Sequence, residues 1–515
     1  MRKEKIQLNE VEIVTKGRTA QVGAARMPRT SIIPVVHDQI YGLNAGAVSA
    51  GVLNLDPLHV IFSVKSPDSK LTYHKADEFV VTVPRRDQID HLWVTACSVP
   101  VGINEIELAG WTELPSQVID TPGIREVPLN LECKKVYMIQ LDEPQRCILV
   151  GEVVGVSIDT NLLTLSRSDV LKQYPMHEAT NNRYTGLYGP SVFSGELIPA
   201  AEQPQLNLEK RSDGEKTFVT AVELYQPENQ AVAMNSIFPR PSYILMTRDE
   251  GGCPHGLPLS GGLIMSARPG VQIPVPKDSS CYKDIKRTGK FLYAITTREL
   301  IQNFEAFENN TPGGVEAAGF SFLEPNQINV LGIVECPVNV DCVVHRFEDV
   351  PGSDYAVVVG GRVGVSVDKD IAQMSNLMDL YCHYNYAVMD RGMKRKWGFH
   401  DTQNLTVKPL PSWGSRYHGG WWTGPEQYQA GMNFWLLELV QSEYIFDEEF
   451  FKIRRWMAWF RREGFPAPEP LWSEMKQRLT TVLKMMLWAH RDYDLWHRVH
   501  EYMAQFPYEG AWKSP

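Results

Sequence analysis

Two stretches of this chain are copies of one another, and the spacing between them restricts the architecture to a pair of equivalent domains. PLNLECKKV from Pro128 returns as PVNVDCVVH from Pro337, with Pro128/Pro337, Asn130/Asn339, Glu132/Asp341 and Cys133/Cys342 in register. GEVVGVSID from Gly151 returns as GGRVGVSVD from Gly360, and MPRTSI from Met27 returns as FPRPSY from Phe238. Solenoid and propeller units recur every ~20–50 residues, far less than the separation of Pro128 from Pro337. A whole domain has been duplicated.

Within each copy, short runs rich in Val, Ile, Leu and Tyr are bounded by Gly, Pro, Asn and Asp, the pattern of β-strands. HVIFSV (59–64), EFVVTV (78–83), KKVYMI (134–139) and CILVGEVVGVSI (147–158) are answered by VQIPV (271–275), KFLYAI (290–295) and YAVVVGGRVGVSV (355–367). Several alternate apolar with polar or small residues, as a sheet does when one face covers a core. Short strands with few long helices predict a barrel or sandwich in each copy. The polar segment EQPQLNLEKRSDGEK is the expected linker. The expected division is therefore copy one over 1–201, a linker over 202–216, copy two over 217–400 and an extension over 401–515.

That extension has another character, since ten of the thirteen tryptophans, from Trp413 to Trp512, fall in it. Their spacing of three or four among aliphatic residues predicts three helices with a buried face, and a lid over an aromatic pocket is the alternative. His383, Tyr384, Tyr386, His400, Trp413, Tyr417 and His418 gather around its start and suit an aromatic substrate, with packing of a loop the alternative. His490, Asp494 and His497 share a helical face without a fuller ligand set, so no metal is expected.

Charge and composition narrow the function. A net charge of −10 over 515 residues argues against a general nucleic-acid or membrane-surface binder, which needs a basic face. MRKEKIQLNEVEIV lacks the apolar run of a secretory signal, and no apolar stretch approaches the ~20 residues of a bilayer span, so the chain reads as cytoplasmic. The eight cysteines include no CxxC pair, which disfavours a zinc knuckle or dithiol centre.

Both copies resemble the flavin reductase-like, FMN-binding split-barrel family. In the first, the resemblance runs through PRTSIIPVV (28–36), NAGAVSAG (44–51), SKLTYHKADEFVVTV (69–83), VGINEIELAGW (101–111), VPLNLEC (127–133) and LVGEVVGV (149–156). In the second, it runs through PRPSYILMTRD (239–249), HGLPLSGG (255–262), SSCYKDIKRTGKFLYAI (279–295), GGVEAAGF (313–320) and VVGGRVGV (358–365). The resemblance implies tandem split β-barrels paired as an intrachain pseudo-dimer, mainly β with α, followed by the helical region. It also implies FMN as cofactor.

FMN presents a dianionic phosphate and a flat apolar ring, so its site needs hydroxyls and a cation at one end and small residues at the other. In copy one the resemblance places Asn44, Ala45, Gly46, Ala47, Val48, Ser49 and Ala50 in a small-residue turn, with Lys70 and Thr72 at the phosphate. In copy two Ser260, Gly261 and Gly262 keep the turn, while Ser279 and Cys281 stand at the basic and threonine positions and Lys283 or Lys286 is left to compensate. One good site and one degenerate site are expected. His37, His177, Tyr184 and His255 border the flavin by the same resemblance, and histidine moves protons near neutral pH; His37, His177 and Tyr184 are the catalytic candidates.

Family members that take hydride from NADH often carry an Asp-His pair before the Gly-x-Val strand, where this chain has Gln145 and Arg146, and Asp354 and Tyr355. The leading expectation is an FMN-dependent oxidoreductase that retains its flavin and acts on a small organic substrate, an aromatic one by the residues above. The alternatives are an NAD(P)H:flavin reductase supplying a partner monooxygenase, and a non-catalytic flavin-binding module. A homo-oligomer is compatible with each.

Overall fold

A computed structural model describes residues 3–8, 30–38, 42–46, 48–65, 76–85, 88, 91, 95, 104–141, 146–174, 215–264, 270–309, 314–373, 385–389 and 395–399. The expected extension over 401–515, most of the linker, and Ala47, Lys70, Thr72, His177 and Tyr184 lie outside them. No helix among the described residues is long and apolar enough to cross a membrane.

The first half supplies β1 (Lys3–Gln7), β2 (Thr30–Asp38), β3 (Gly42–Ala45), β4 (Val48–Leu55), β5 (Leu58–Lys65), β6 (Glu78–Val83), β7 (Glu113–Leu114), β8 (Gly123–Ile124), β9 (Leu129–Gln140) and β10 (Arg146–Asp159). The second supplies β11 (Lys216–Thr220), β12 (Arg240–Arg248), β13 (Pro254–Ser260), β14 (Leu263–Ile264), β15 (Val271–Pro276), β16 (Lys290–Ile295), β17 (Phe322–Leu323), β18 (Gly332–Ile333), β19 (Val338–Asp349) and β20 (Tyr355–Asp368), followed by β21 (Asn385–Met389) and β22 (Arg395–Phe399). One sheet runs β11-β10-β5-β4-β2-β6-β9 and closes because β10 also pairs with β9. The other runs β14-β15-β20-β19-β16-β12, with β13 on the far side of β12 and the hairpin β21–β22 added to it. Two barrels of matching strand order result.

The best-preserved repeat has a physical reason. Along β9, Leu129, Leu131 and Cys133 point into the barrel core, while Asn130 and Glu132 point outward and grip the loop before the strand. Asn130 accepts from Ile124 N at 2.8 Å and donates to Ile124 O at 3.0 Å, and Glu132 accepts from Gln117 N and Val118 N at 2.9 and 2.7 Å. Asn339 and Asp341 hold Ile333 and Gln327 in the same way. The repeat is thus a core face and a loop clamp in alternation. Gly151 and Gly360 recur because a ring sits over each: a Cβ would lie 2.4 Å from Phe79 Cζ at the first and 3.2 Å from Phe291 Cε1 at the second.

Each half gives its leading strand to the other. β1 pairs antiparallel with β20 of the second barrel, and β11 pairs with β10 of the first. Lys3 donates to Cys336 O at 2.8 Å and to Asp368 at 2.7 Å; Lys216 donates to Val127 O at 2.8 Å and to Asp159. The exchange extends into the cores. Val219, Leu224, Val232, Ala233, Met234, Ile237 and Phe238 complete the core of the first barrel, and Leu8 and Leu171 enter that of the second. Residues 217–238 thus fall in copy two by sequence and serve the first barrel in space.

Two expectations follow. Residues 1–214 expressed alone lack β11 and the apolar set ending at Phe238, so they are expected to show no cooperative unfolding until residues 215–515 are co-expressed, as followed by circular dichroism. The second concerns Asp341, whose carboxyl burial pushes up to about 6, opposed by the Gln327 amide and by Lys5 of the exchanged strand. The folded state then holds this proton more tightly than the unfolded one, so stability from this group is present at low pH and lost as pH rises from about 4 through 6. Asp341→Asn is expected to remove a fall of roughly 2–3 kcal/mol between pH 4 and 7 in urea unfolding.

Candidate functional site

The expected small-residue turn of copy one is a strand. Gly42–Ala45 and Val48–Leu55 both lie along β2, with Val36 opposite Asn44, Val35 opposite Ala45, Ser31 opposite Ser49 and Thr30 opposite Ala50. A turn would need the chain to reverse within 44–50. Here Val48–Ala50 pair with β2 in the same register that Gly42–Ala45 begin. Small side chains leave the backbone near the surface of the sheet without bending it.

A carboxylate missed by sequence reasoning fixes this run. Glu105 Oε2 accepts the Ala45 N–H at 2.7 Å, with Glu105 2% exposed and Ala45 fully buried. Glu105 opens the helix Glu105–Leu108, capped by Asn104, whose side chain accepts from Ile106 N and Glu107 N. Asn104 donates in turn to Glu113 Oε1 at 2.8 Å. Among the described residues the second copy shows no such clamp. Gly110 and Gly319, both left-handed, align the two segments, and by that alignment Gly314 takes the place of Glu105. Its strand is held by packing instead: a Cβ on Gly256 would lie 2.7 Å from Phe307 Cζ and from Val315 Cγ2.

The turn does exist in copy two, and it lies at the junction of the barrels. Gly261 and Gly262 follow Ser260 with φ of 86° and 82°, left-handed values that cost other residues about 1–2 kcal/mol. A Cβ on Gly51 would be 2.9 Å from Gly262 N, and one on Gly261 would be 3.0 Å from Val52 O. The corresponding runs of the two copies therefore meet backbone to backbone. Around them Leu53, Ile61, Ile139, Leu141, Ile148 and Val150 pack on Val350, Val357 and Val359. Tyr137 Oη donates to Glu348 at 3.2 Å, and Arg346 donates to Gln140 O, across the same junction.

The structure also places the residues proposed for phosphate in copy two. Ser279 caps the helix Ser280–Thr288, accepting from Tyr282 N at 3.1 Å and donating to Pro276 O at 2.7 Å. Cys281 is 1% exposed, and burial pushes its thiol up to about 12. Lys286 Nζ sits over the Tyr282 and Phe347 rings at 5.0 and 5.8 Å. The basic group beside Ser260 is Arg240, with Nη2 3.4 Å from Ser260 Oγ and 2% exposure. The Arg-x-Ser of the repeat, at 29–31 and 240–242, was the available signal.

Of the histidines, His37 is exposed on β2 opposite Leu43. His255 is tied to the second barrel's helix: its Nδ1 lies 2.7 Å from Asp284 Oδ2, which also accepts from Thr247 Oγ1 at 2.9 Å, and Arg287 is 3.5 Å from Oδ1. That arrangement fastens the 280–288 helix to β12 and β13. His59 is 1% exposed on β5, opposite Glu152, and its pKa is lowered by burial, with Glu152 acting in the other direction.

The model of the flavin reductase like domain matches residues 25–170 and 234–389, more than half of the chain. An uncharacterized protein of Halalkalibacterium halodurans is 32% identical over 116 residues, covering 22% of this chain and 55% of that protein. One of Methanothermobacter thermautotrophicus is 28% identical over 138 residues, covering 26% and 65%. The chain thus spans less than two thirds of either relative's length. Among solved structures, nitrilotriacetate monooxygenase component B from Bacillus cereus is 22% identical with a TM-score of 0.29, covering 33% of this chain and 89% of that one. The Pseudomonas fluorescens 2-nitrobenzoate 2-nitroreductase is 22% identical with a TM-score of 0.28, covering 33% and 85%.

The junction should tolerate no added side chain. Gly262→Ala places a Cβ 2.9 Å from Gln272 O in a left-handed residue and is expected to cost at least ~2–3 kcal/mol in urea unfolding. Gly289→Ala is the control, equally left-handed with nothing within 4 Å, and is expected to cost only about 1 kcal/mol.

Proposed function

The chain belongs to the flavin reductase like domain family, and we propose that it is an FMN-dependent oxidoreductase that retains its flavin and acts on a small organic, aromatic substrate. The observation that supports retention is the interlocked pair of barrels. A site at the junction of two separate subunits opens whenever they part, whereas here exchanged strands hold both faces in one chain.

The residues present fit a flavin. Gly46 carries no side chain and Ala45 only a methyl group, small residues that favour the approach of a flat ring to the strand backbone, and Glu105 sets that backbone's position through Ala45 N–H. On the matching face of the second barrel, Ser242 Oγ is buried without a hydrogen-bond partner. Bound FMN would supply the redox chemistry. The protein's part is to hold the phosphate through Lys70, Thr72 and Ser49, to orient the substrate against the strand, and to exclude water. His37, His177 and Tyr184 are the proposed proton-handling residues, and the regions 1–201, 217–400 and 401–515 the proposed sequence units.

Protein purified without added cofactor is expected to be yellow and to keep its FMN through gel filtration. Lys70→Ala is expected to weaken FMN binding by about 1.5–3 kcal/mol, roughly one to two decades, in a fluorescence titration. A colourless protein that takes up no FMN would defeat the proposal. Rapid NADH oxidation dependent on freely exchanging FMN would replace it with the flavin reductase reading.

A further inference from the structure

We infer that the seam between the halves carries an acid-released latch, in which protonation of His59 loosens the second half's segment 216–238 from the first barrel. Along β5, Val60, Phe62 and Val64 face the barrel core, so His59 and Ile61 share the outer face. Ile61 packs there with Val350, Val357 and Val359 of the second half. His59 beside it is 1% exposed, and its Nδ1 is buried without a hydrogen-bond partner. The turn from β4 to β5, next to His59, is also where the second half takes hold. Tyr225, at the end of the helix Ala221–Leu224, donates its hydroxyl to Leu55 O at 2.5 Å. Among the described residues, the charged and titratable groups at this corner come from every element packed there. Glu152 of β10 is directly opposite His59, and Lys134 of β9 is opposite Glu152 on its other side. Asp56 stands in the turn, and both carboxylates act on the Tyr225 hydroxyl.

A barrel of this kind does not need the His59–Glu152 pair. Val60 pairs with Gly151 as Val271 pairs with Gly360, so Gly270 and Gly361 stand in the second barrel where His59 and Glu152 stand in the first. The guanidinium of Arg362 fills that space, 2.6 Å from where a Gly270 Cβ would lie, and its charge does not change with pH. One barrel thus has a fixed charge at this corner and the other a titratable ring. Burial holds the His59 imidazole below its ordinary value of 6.5, with Glu152 acting in the other direction. The folded state therefore binds this proton more weakly than an opened one, and the stability that the neutral ring contributes is present above pH 6.5 and lost as pH falls below it. Charged in place, the ring has no acceptor at Nδ1 and lies beside the apolar junction. To bring the charge to Glu152, Asp56 or water the turn must move, and Leu55 O, which holds Tyr225, moves with it.

The test follows amide hydrogen exchange over 216–238 in the full chain at pH 7.5 and pH 5.5, as protection factors corrected for the intrinsic pH dependence of exchange. At pH 5.5 an imidazole that titrates at 6.5 is charged about ten times to one, so protection in the wild-type protein is expected to fall by roughly 3- to 10-fold through this group. His59→Asn keeps a polar side chain that does not titrate, and its protection should be the same at both pH values. Glu152→Gln withdraws the attraction that favours the charged ring, so its fall should exceed that of wild type; this keeps the latch testable if His59→Asn does not fold. Residues 3–7, docked on the barrel with glycines at this corner, should lose no protection over the same range. A fall in His59→Asn equal to that of wild type, a fall in Glu152→Gln no larger than that of wild type, or a matching loss at residues 3–7 overturns the latch.

Discussion

Two buried lysines hold the molecule in its present form. Lys3 and Lys216 stand at the first residue of the exchanged strands, and each ties its strand to an aspartate and a carbonyl of the other half's barrel. Ion pairs at positions this enclosed gain from a low local dielectric, and losing one partner strands the other charge. Everything else in the arrangement presupposes this exchange. The first core is finished by residues up to Phe238, the second by Leu8 and Leu171, and only with both complete do the glycine runs of the two copies come into backbone contact.

Duplication made the barrels alike, and their differences are concentrated where the sheet meets its surroundings. Asn130 and Asn339 make the same bonds, because any substitute would free the loop they clamp. Glu105 has no counterpart, because Phe307 and Val315 press on Gly256 and hold that strand by contact. One copy thus positions the equivalent strand with a charge and the other with rings. A charge-held strand presents a fixed backbone dipole to a ligand, and a ring-held one presents a shape.

The repeat and the strands were legible in the sequence because both are local patterns. CILVGEVVGVSI falls inside β10 and KFLYAI spans β16, since alternation of apolar residues is enough to announce a barrel strand. The exchange was not legible. KEKIQ and KTFVT look like ordinary leading strands, and nothing within five residues says which barrel they join. The 44–50 run read as a turn because small residues serve turns and close-packed strands alike, and only its pairing with β2 decides. Arg240 went unread since an arginine's role depends on its register against Ser260, which no single strand reveals. Glu105 belongs to the same class, its partner being an amide sixty residues earlier.

The exchange also orders events on the ribosome. β1 is made before the other strands of both barrels, yet its place is beside β20, which emerges only after almost all of both barrels has been synthesised. The first barrel must wait in turn for β11 and Phe238 before its core is filled. At ~5–20 residues per second, this is a delay of several seconds in which an unfinished barrel keeps open apolar edges. The nascent chain therefore passes through a vulnerable stage that separate, self-sufficient domains would avoid, and the two halves reach their native state as a single event.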